Sequence, residues 1–458
     1  MLNNAIDTIA AISSPFAQGG IGVIRISGPE AKDIASKVFK SIFSKSIFDL
    51  SGYQALFGNV FDDQGVFDEA ILLNFNAPHS YTGEDVVEIS VHSGLYILKR
   101  VLRAVINAGA RLAQAGEFTK RAFLNNKMSL TQAESVMDLI SAQSEQAFCA
   151  ALTTKQGFVF KNIVDIIDKL LELDSHISAW IDYPEEDIIS INKQKILDII
   201  LKTKDKLTEL ILTFDTGKIL KEGINTVIVG KPNVGKSTLM NLLSGVNKSI
   251  VTNIPGTTRD IIEENILLDD ILINLFDTAG LRETYDLVEK TGVSLAKEKI
   301  KEADVVLAVF DNSREFDQED QITLEQVKNK KIIAVVNKTD LLSEFEIDKI
   351  KEYTSYIIKV NSNDIKTKNI ISKEIKRVLK IENINSTSVI ISNERQLHCL
   401  KKAVLEIDKT IDSINNNFTY DAISVDIESI IEYLMELTGQ KVSESVVDKV
   451  FSNFCVGK

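Results

Sequence analysis

Residues 227–243, VIVGKPNVGKSTLMNLL, set an apolar β-branched run directly before a glycine-bearing turn, and that turn directly before a run of helix formers. Few folds can use such a segment. The glycines let the backbone curl until several N–H groups converge, and the helix that follows adds the positive end of its dipole. Such a nest collects an anion with several oxygens. Gly230, Gly235, Lys236 and Ser237 have P-loop spacing, so the expected ligand is a nucleotide phosphate chain. Lys236 would neutralise the β and γ phosphates, and the Ser237 hydroxyl would coordinate Mg²⁺.

The strand before this loop needs neighbours. Between 222 and 380, NTVIVG, ILINLF, DVVLAVF and KIIAVVN alternate with helical runs such as STLMNLLSG and VSLAKEKIKEA. That order predicts an open, mostly parallel sheet with helices on both faces. Asp277 ends ILINLF, where a carboxylate would hold Mg²⁺ through water, and the Gly280 amide would then meet the γ-phosphate. NKTD, Asn337 to Asp340, ends the strand IIAVV. The Asp340 carboxylate can accept from guanine N1–H and its exocyclic amine, whereas adenine presents an acceptor at N1, so GTP is expected over ATP. KVNSND would bring Asn361 and Ser362 to the base, a departure from the Ser-Ala pair usual at such a place.

The residue after DTAG is Leu281, where a Ras-type site carries the glutamine that orients attacking water. Leucine neither orients water nor neutralises developing charge, and no arginine finger is evident. A monovalent cation held by hard oxygens could supply the charge. Asn233 and the segment VTNIPGTTRD, Val251 to Asp260, offer such oxygens, and Thr258 would complete the Mg²⁺ shell. A carboxylate further along the second loop could orient the water, with Glu283, Asp286 and Glu289 as the choices. The residues expected against GTP are Asn233, Val234, Gly235, Lys236, Ser237 and Thr238, then Thr252, Asn253, Ile254, Pro255, Gly256, Thr257 and Thr258, then Asp277, Thr278, Ala279 and Gly280, and on the base side Asn337, Lys338, Asp340, Asn361 and Ser362.

This segment is a fraction of the chain, whose 458 residues suffice for about three domains. Residues 1–118 mix short strand-like runs (TIAAIS, GVIRIS, AILLNF, DVVEISVH) with the helical YILKRVLRAVINAG, which predicts an α+β domain. From 119 to 221 apolar residues recur at three and four, as in LTQAESVMDLISAQSEQAF and KNIVDIIDKLLELDSHISAWID, the pattern of long amphipathic helices. Helical spacing returns in 381–458. The fold class is therefore multidomain: an N-terminal α+β domain, a discontinuous all-α domain and an inserted α/β nucleotide domain. Trp180 and the Ile/Leu stripes are expected in the core.

Three dispersed cysteines (Cys149, Cys399, Cys455) suggest neither a disulfide framework nor a metal site, and Cys455 is expected to be a small buried residue. His79, His92, His176 and His398 have no ligand spacing and read as structural or surface residues. No apolar run approaches the ~20 residues that span a bilayer, and MLNNAIDTIAAISSPF lacks a basic leader, so a soluble cytoplasmic protein is expected. The net charge of −13 counts against wholesale electrostatic binding of nucleic acid. From Lys99 to Lys127, however, seven basic residues face one acid, Glu117. That stretch is either a solvated face or a patch that contacts phosphates.

DTIAAISSPFAQGGIGVIRISGP, SYTGEDVVEISVHSG, AGEFTKRAFLNNKMSLTQAESVMDLI, GKPNVGKSTLMNLL, IPGTTRDIIEE, DTAGLRE and the terminal FCVGK together resemble the bacterial and organellar tRNA modification GTPases of the MnmE (TrmE) family, over essentially the whole chain. The resemblance implies a dimerising, folate-binding N-terminal domain (1–118), a helical domain in two parts (119–221 and 381–458) and an inserted G domain (222–380). It implies G domains that meet across a homodimer when GTP and K⁺ are bound. By motif position it implies K⁺ ligands Asn233, Thr252, Ile254 and Thr257, Mg²⁺ ligands Ser237 and Thr258, and a catalytic Glu289. It further implies an FAD-containing partner, MnmG, in a heterotetramer that modifies the wobble uridine of certain tRNAs, the carbon coming from 5-formyl- or 5,10-methylene-tetrahydrofolate. Folate would be met by Arg25, Glu88 and Lys127, and FCVGK would bring Cys455 and Lys458 near the same site. A rival reading is a GTP switch that docks on ribosomes, as Era-type GTPases do. A scaffold that binds GTP without turnover fits poorly with Lys236, Asp277 and Thr258.

Overall fold

The computed structural model describes residues 7–182, 192–245, 263–277, 298–379, 381 and 389–458. They form two compact units, one of Met1–Met137, Thr154–Lys204 and His398–Lys458, the other of Asp138–Thr153 and Asp205–Leu397.

Alternation of apolar residues builds the first unit. Along β5 (Gly65–Phe75), Ala70, Leu72 and Asn74 are buried on one face while Ile71 lies exposed on the other. Seven strands pair in the order β3-β4-β5-β6-β2-β1-β7: β1 is Ile9–Ile12, β2 Gly19–Ser27, β3 Phe39–Ser41, β4 Gln54–Asp62, β6 Val86–Ser93 and β7 Arg111–Leu112. Ile24, Ile26, Leu72, Val87 and Ile89 form the inner face, covered by Leu98, Val101 and Val105 of helix Leu95–Asn107 and by Ile34 of helix Ala31–Ser36. The antiparallel register of β2 with β6 sets Arg25 opposite Glu88.

Helix Phe158–Asp182 packs along helix Tyr420–Thr438 through stripes that include Ile163, Ile167, Leu170, Ile427 and Ile431. Trp180 is half-buried rather than part of this core. The long periodic run after Leu130 is not one helix. It divides into Leu130–Ser141 and Glu145–Lys155, the second capped by Ser144, whose hydroxyl accepts from the Ala147 N–H at 3.1 Å.

The chain's end returns to the N-terminal strands. The Gly116 N–H donates to the Cys455 carbonyl at 3.3 Å and the Phe118 N–H to that of Lys458 at 3.2 Å. Phe451 and Phe454 are buried beside Phe123. A Cβ at Gly457 would stand 2.3 Å from the Ile12 carbonyl oxygen, so only glycine lets the tail lie this close. Cys455, expected to be buried, is exposed: its carbonyl faces the protein and its side chain turns away.

In the second unit the sheet order is β13-β12-β11-β8-β10-β9. β8 is Ile224–Val229, β9 Glu263–Leu268, β10 Ile271–Asp277, β11 Val305–Asp311, β12 Ile332–Asn337 and β13 Ile357–Lys359. Among the described residues, only β9 and β10 of this sheet pair antiparallel. Every residue of β11 is buried, as a central strand covered on both faces requires. Parallel strands end together, and that shared edge gathers Val229, Asp277, Asp311 and Asn337.

Candidate functional site

β8 ends at Val229, and the chain turns through Gly230–Gly235 into helix Lys236–Ser244. Two positions fix the turn. Asn233 has φ of +66° and Gly235 of +101°. A Cβ at Gly235 would stand 2.2 Å from Asn337 Nδ2, so the Asn337 amide leaves no room for a side chain at this position. Val234 and Lys236 are buried, while Asn233, Ser237 and Thr238 are exposed on the mouth of the loop. Lys236 Nζ donates to the carbonyls of Gly230 at 2.8 Å and Lys231 at 2.7 Å.

Asn337 Nδ2 donates to the Val234 carbonyl at 2.9 Å, and its Oδ1 accepts from the Ser362 N–H at 2.9 Å and hydroxyl at 2.8 Å. Both side chains thus join three loops to each other. Lys338 Nζ donates to the Asn233 carbonyl at 2.8 Å and to Asp311 at 2.6 Å. Burial opposes ionisation of Asp311, but Lys338 and the Ser313 donors outweigh it and hold its carboxyl below the usual range. Asp340 is exposed, free of the strand that carries it in. Asn361 turns inward on its own loop, its Oδ1 accepting from the Asn363 N–H at 2.9 Å. Sequence reasoning missed Asp311. The available signal was an acid ending DVVLAVFD on the strand beside NKTD, in register with Asn337.

Asp277 ends β10, its backbone paired with Ile228 of β8, which puts it one strand from the loop. Thr252, Asn253, Ile254, Pro255, Gly256, Thr257, Thr258, Thr278, Ala279, Gly280 and Glu289 lie outside the described residues, as do Glu283 and Asp286.

The first unit holds a second group of predicted residues. Arg25 Nε donates to Glu88 at 2.8 Å and Nη1 to the Gly457 carbonyl at 3.4 Å. The guanidinium lies over the rings of Tyr81 and Phe118, at 5.5 and 5.6 Å from their centres. Burial, and then the Arg25 charge, push the Lys458 ammonium below its ordinary pKa, with Glu88 pulling the other way. Lys155 was not anticipated. Burial, and then Lys458, push it down as well. Neither lysine has a carboxylate within ion-pair distance among the described residues. Lys127, grouped with Arg25 in the expectation, donates from Nζ to the Pro78 carbonyl at 2.9 Å.

The basic stretch resolves mostly into pairs. Arg100 clasps Asp62 at 2.7 and 2.9 Å and lies over Phe67. Arg111 reaches Asp7 and Glu117, each at 2.6 Å, and Lys120 reaches Asp448 at 2.6 Å. Arg121, 3% exposed, meets Asp7, Glu84 and Glu117. Lys99 and Arg103 remain exposed. Carboxylates thus neutralise four of the seven cations, which favours a solvated face over a phosphate-binding patch.

Residues 8–127 match the model of the GTP-binding protein TrmE N-terminus, and residues 130–455 that of the MnmE helical domain. The tRNA modification GTPase MnmE of Clostridioides difficile is 41% identical over 455 residues, covering 99% of each chain. Those of Alkaliphilus metalliredigens and Acetivibrio thermocellus are each 41% identical, again over 99% of both chains. On full-length similarity at this level, the chain belongs to the family of tRNA modification GTPases named MnmE.

Proposed function

We propose that this protein is a K⁺- and Mg²⁺-dependent GTP hydrolase which, with the FAD-containing partner MnmG, adds a carboxymethylaminomethyl or aminomethyl group to C5 of the wobble uridine in certain tRNAs. The observation that carries the nucleotide part is the double hold of NKTD on the phosphate loop: Asn337 on the Val234 carbonyl and Lys338 on that of Asn233. Base-reading and phosphate-binding halves thereby form one frame, as positioning for phosphoryl transfer requires.

In this reading Lys236 meets the β and γ phosphates, Asp340 reads guanine and Glu289 orients water. The exposed Ser237 hydroxyl, at the first turn of its helix, suits a hard cation such as Mg²⁺, with Thr258 as the second protein ligand. Asn233 offers an oxygen on left-handed backbone for K⁺, with Thr252, Ile254 and Thr257 as further donors. When bound, K⁺ supplies positive charge where other GTPases use an arginine. The G domains of a homodimer close on one another for turnover, and GTP drives domain motion rather than uridine chemistry. Arg25 and Lys458, with Lys127, receive the anionic tail of tetrahydrofolate, and Glu88 accepts from its pterin. The surplus of cations beside two aromatic rings suits such a ligand. The domains are 1–118, 119–221 with 381–458, and 222–380, and the enzyme acts in the cytoplasm as a heterotetramer with MnmG.

GTP turnover measured in KCl and in NaCl at equal ionic strength tests the mechanism. Hydrolysis is expected to be faster in K⁺, and equal rates overturn the cation's role. Titration with 5-formyltetrahydrofolate separates this reading from a ribosome-docking switch, which has no use for a folate pocket.

A further inference from the structure

Lys231 is the second residue of the phosphate loop, and no nucleotide role falls on it. Its side chain, 11% exposed, runs away from the loop to two carboxylates, Asp317 at 2.6 Å and Asp320 at 2.8 Å. Those acids begin helix Gln318–Val327. Asp317 is the N-cap and accepts from the N–H groups of Glu319 and Asp320, while Asp320 accepts from the Asp317 N–H. Asp320 is 4% exposed, and burial pushes its carboxyl up despite the nearby ammonium. A buried carboxylate beside an exposed one needs a cation, and Lys231 supplies it.

The backbone of the same residue faces the ligand. The Lys231 carbonyl accepts from Lys236 Nζ at 2.7 Å. The phosphate loop is therefore anchored from three sides, at Asn233 by Lys338, at Val234 by Asn337, and at Lys231 by the start of helix Gln318–Val327. The connection that leaves β11 serves two of these anchors, because Asp311 at its beginning holds Lys338 and Asp317 near its end holds Lys231.

We infer that Lys231 is a positioning residue for GTP, and that its grip by Asp317 and Asp320 makes the start of helix Gln318–Val327 a determinant of nucleotide affinity. This rests on Lys236 contacting the phosphates. A charge-assisted pair of this kind is expected to change affinity about tenfold.

The test uses the full-length protein and release of a fluorescent GDP analogue. Lys231→Met should speed release about tenfold, with Lys231→Arg restoring most of it. Asp317→Asn preserves the cap, since asparagine caps as well as aspartate, and removes only the charge. It should speed release about threefold in the wild-type background and have no further effect in the K231M background. An equal effect of D317N in both backgrounds shows that Asp317 acts independently of Lys231 and overturns the inference, as does wild-type release from K231M. Should K231M not fold, Lys231→Gln gives the same decision: D317N without further effect in the K231Q background supports the tether, whereas an equal effect in both backgrounds overturns it. Lys236→Ala checks the premise separately. Unchanged binding in K236A sinks the reading of the phosphate site, whereas loss in K236A with none in K231M sinks only the tether.

Discussion

Both the nucleotide site and the Arg25 site concentrate positive charge, but they do so from different materials. Around the phosphate loop every cation described above has a fixed partner: Lys231 on two aspartates, Lys338 on Asp311, Lys236 on two carbonyls. The ligand-facing surface is largely backbone, held by backbone geometry. At the second site the frame is made of side chains, and Lys155 and Lys458 repel one another beside a single Arg25–Glu88 pair. The first arrangement is a rigid mould whose cost was met in folding. The second leaves electrostatic repulsion in place, and an anion would relieve it.

The largest effect expected from this contrast follows from disturbing the mould. Gly235→Ala sets a Cβ 2.2 Å from Asn337 Nδ2, on backbone at φ of +101°. Strain and displacement of the amide together should weaken GTP binding about a hundredfold. Titration with a fluorescent GTP analogue measures it. Binding within a factor of about two of the wild type would mean that the loop adapts, and that the two sites differ less than their geometry indicates.

A smaller effect is expected at the second site, and it depends on pH. Below their depressed values Lys155 and Lys458 carry protons whether the chain is folded or not, so their repulsion weighs in full against the folded state. As pH rises through their depressed values toward the ordinary 10.5, the folded chain sheds the protons first and that penalty fades. An anionic ligand reverses the depression. Binding of 5-formyltetrahydrofolate at alkaline pH should therefore take up protons, read by calorimetry in two buffers of different ionisation enthalpy. Lys155→Met should reduce the uptake. No uptake in the wild type would show that the lysines do not sense the ligand.

The same contrast explains what the sequence disclosed. The nucleotide site was legible because its parts are short and contiguous: a loop between a strand and a helix, and a tetrapeptide ending another strand. The alternation of strands and helices placed them at one sheet edge. Asp311 was missed because its work is done toward Lys338, across a strand pairing that no local pattern marks. Arg25, Glu88 and Lys458 were proposed from resemblance, not from spacing. Nothing in a linear pattern joins a strand at the start of the chain to its last residue, and that junction is made by Gly457 against Ile12 and by backbone bonds at Gly116 and Phe118. Lys155 had no motif at all. Cys455 was misjudged because a small thiol is usually buried, whereas here the backbone of the tail is held and the side chain turns outward.

The smallest effect expected decides whether pairing alone accounts for rigidity. Lys120 and Asp448 form a 2.6 Å ion pair between helices Glu117–Leu124 and Glu444–Ser452, the latter leading into the terminal FCVGK. Asp448 is 57% exposed, so water competes for both charges. Lys120→Ala should cost only about 0.5 kcal/mol, measured by denaturant unfolding, and should leave GTP binding unchanged. If it instead cost about 2 kcal/mol, solvated pairs in this protein would hold as firmly as buried ones. The firmness of the phosphate loop would then follow from the number of its ion pairs rather than from their burial and their attachment to backbone.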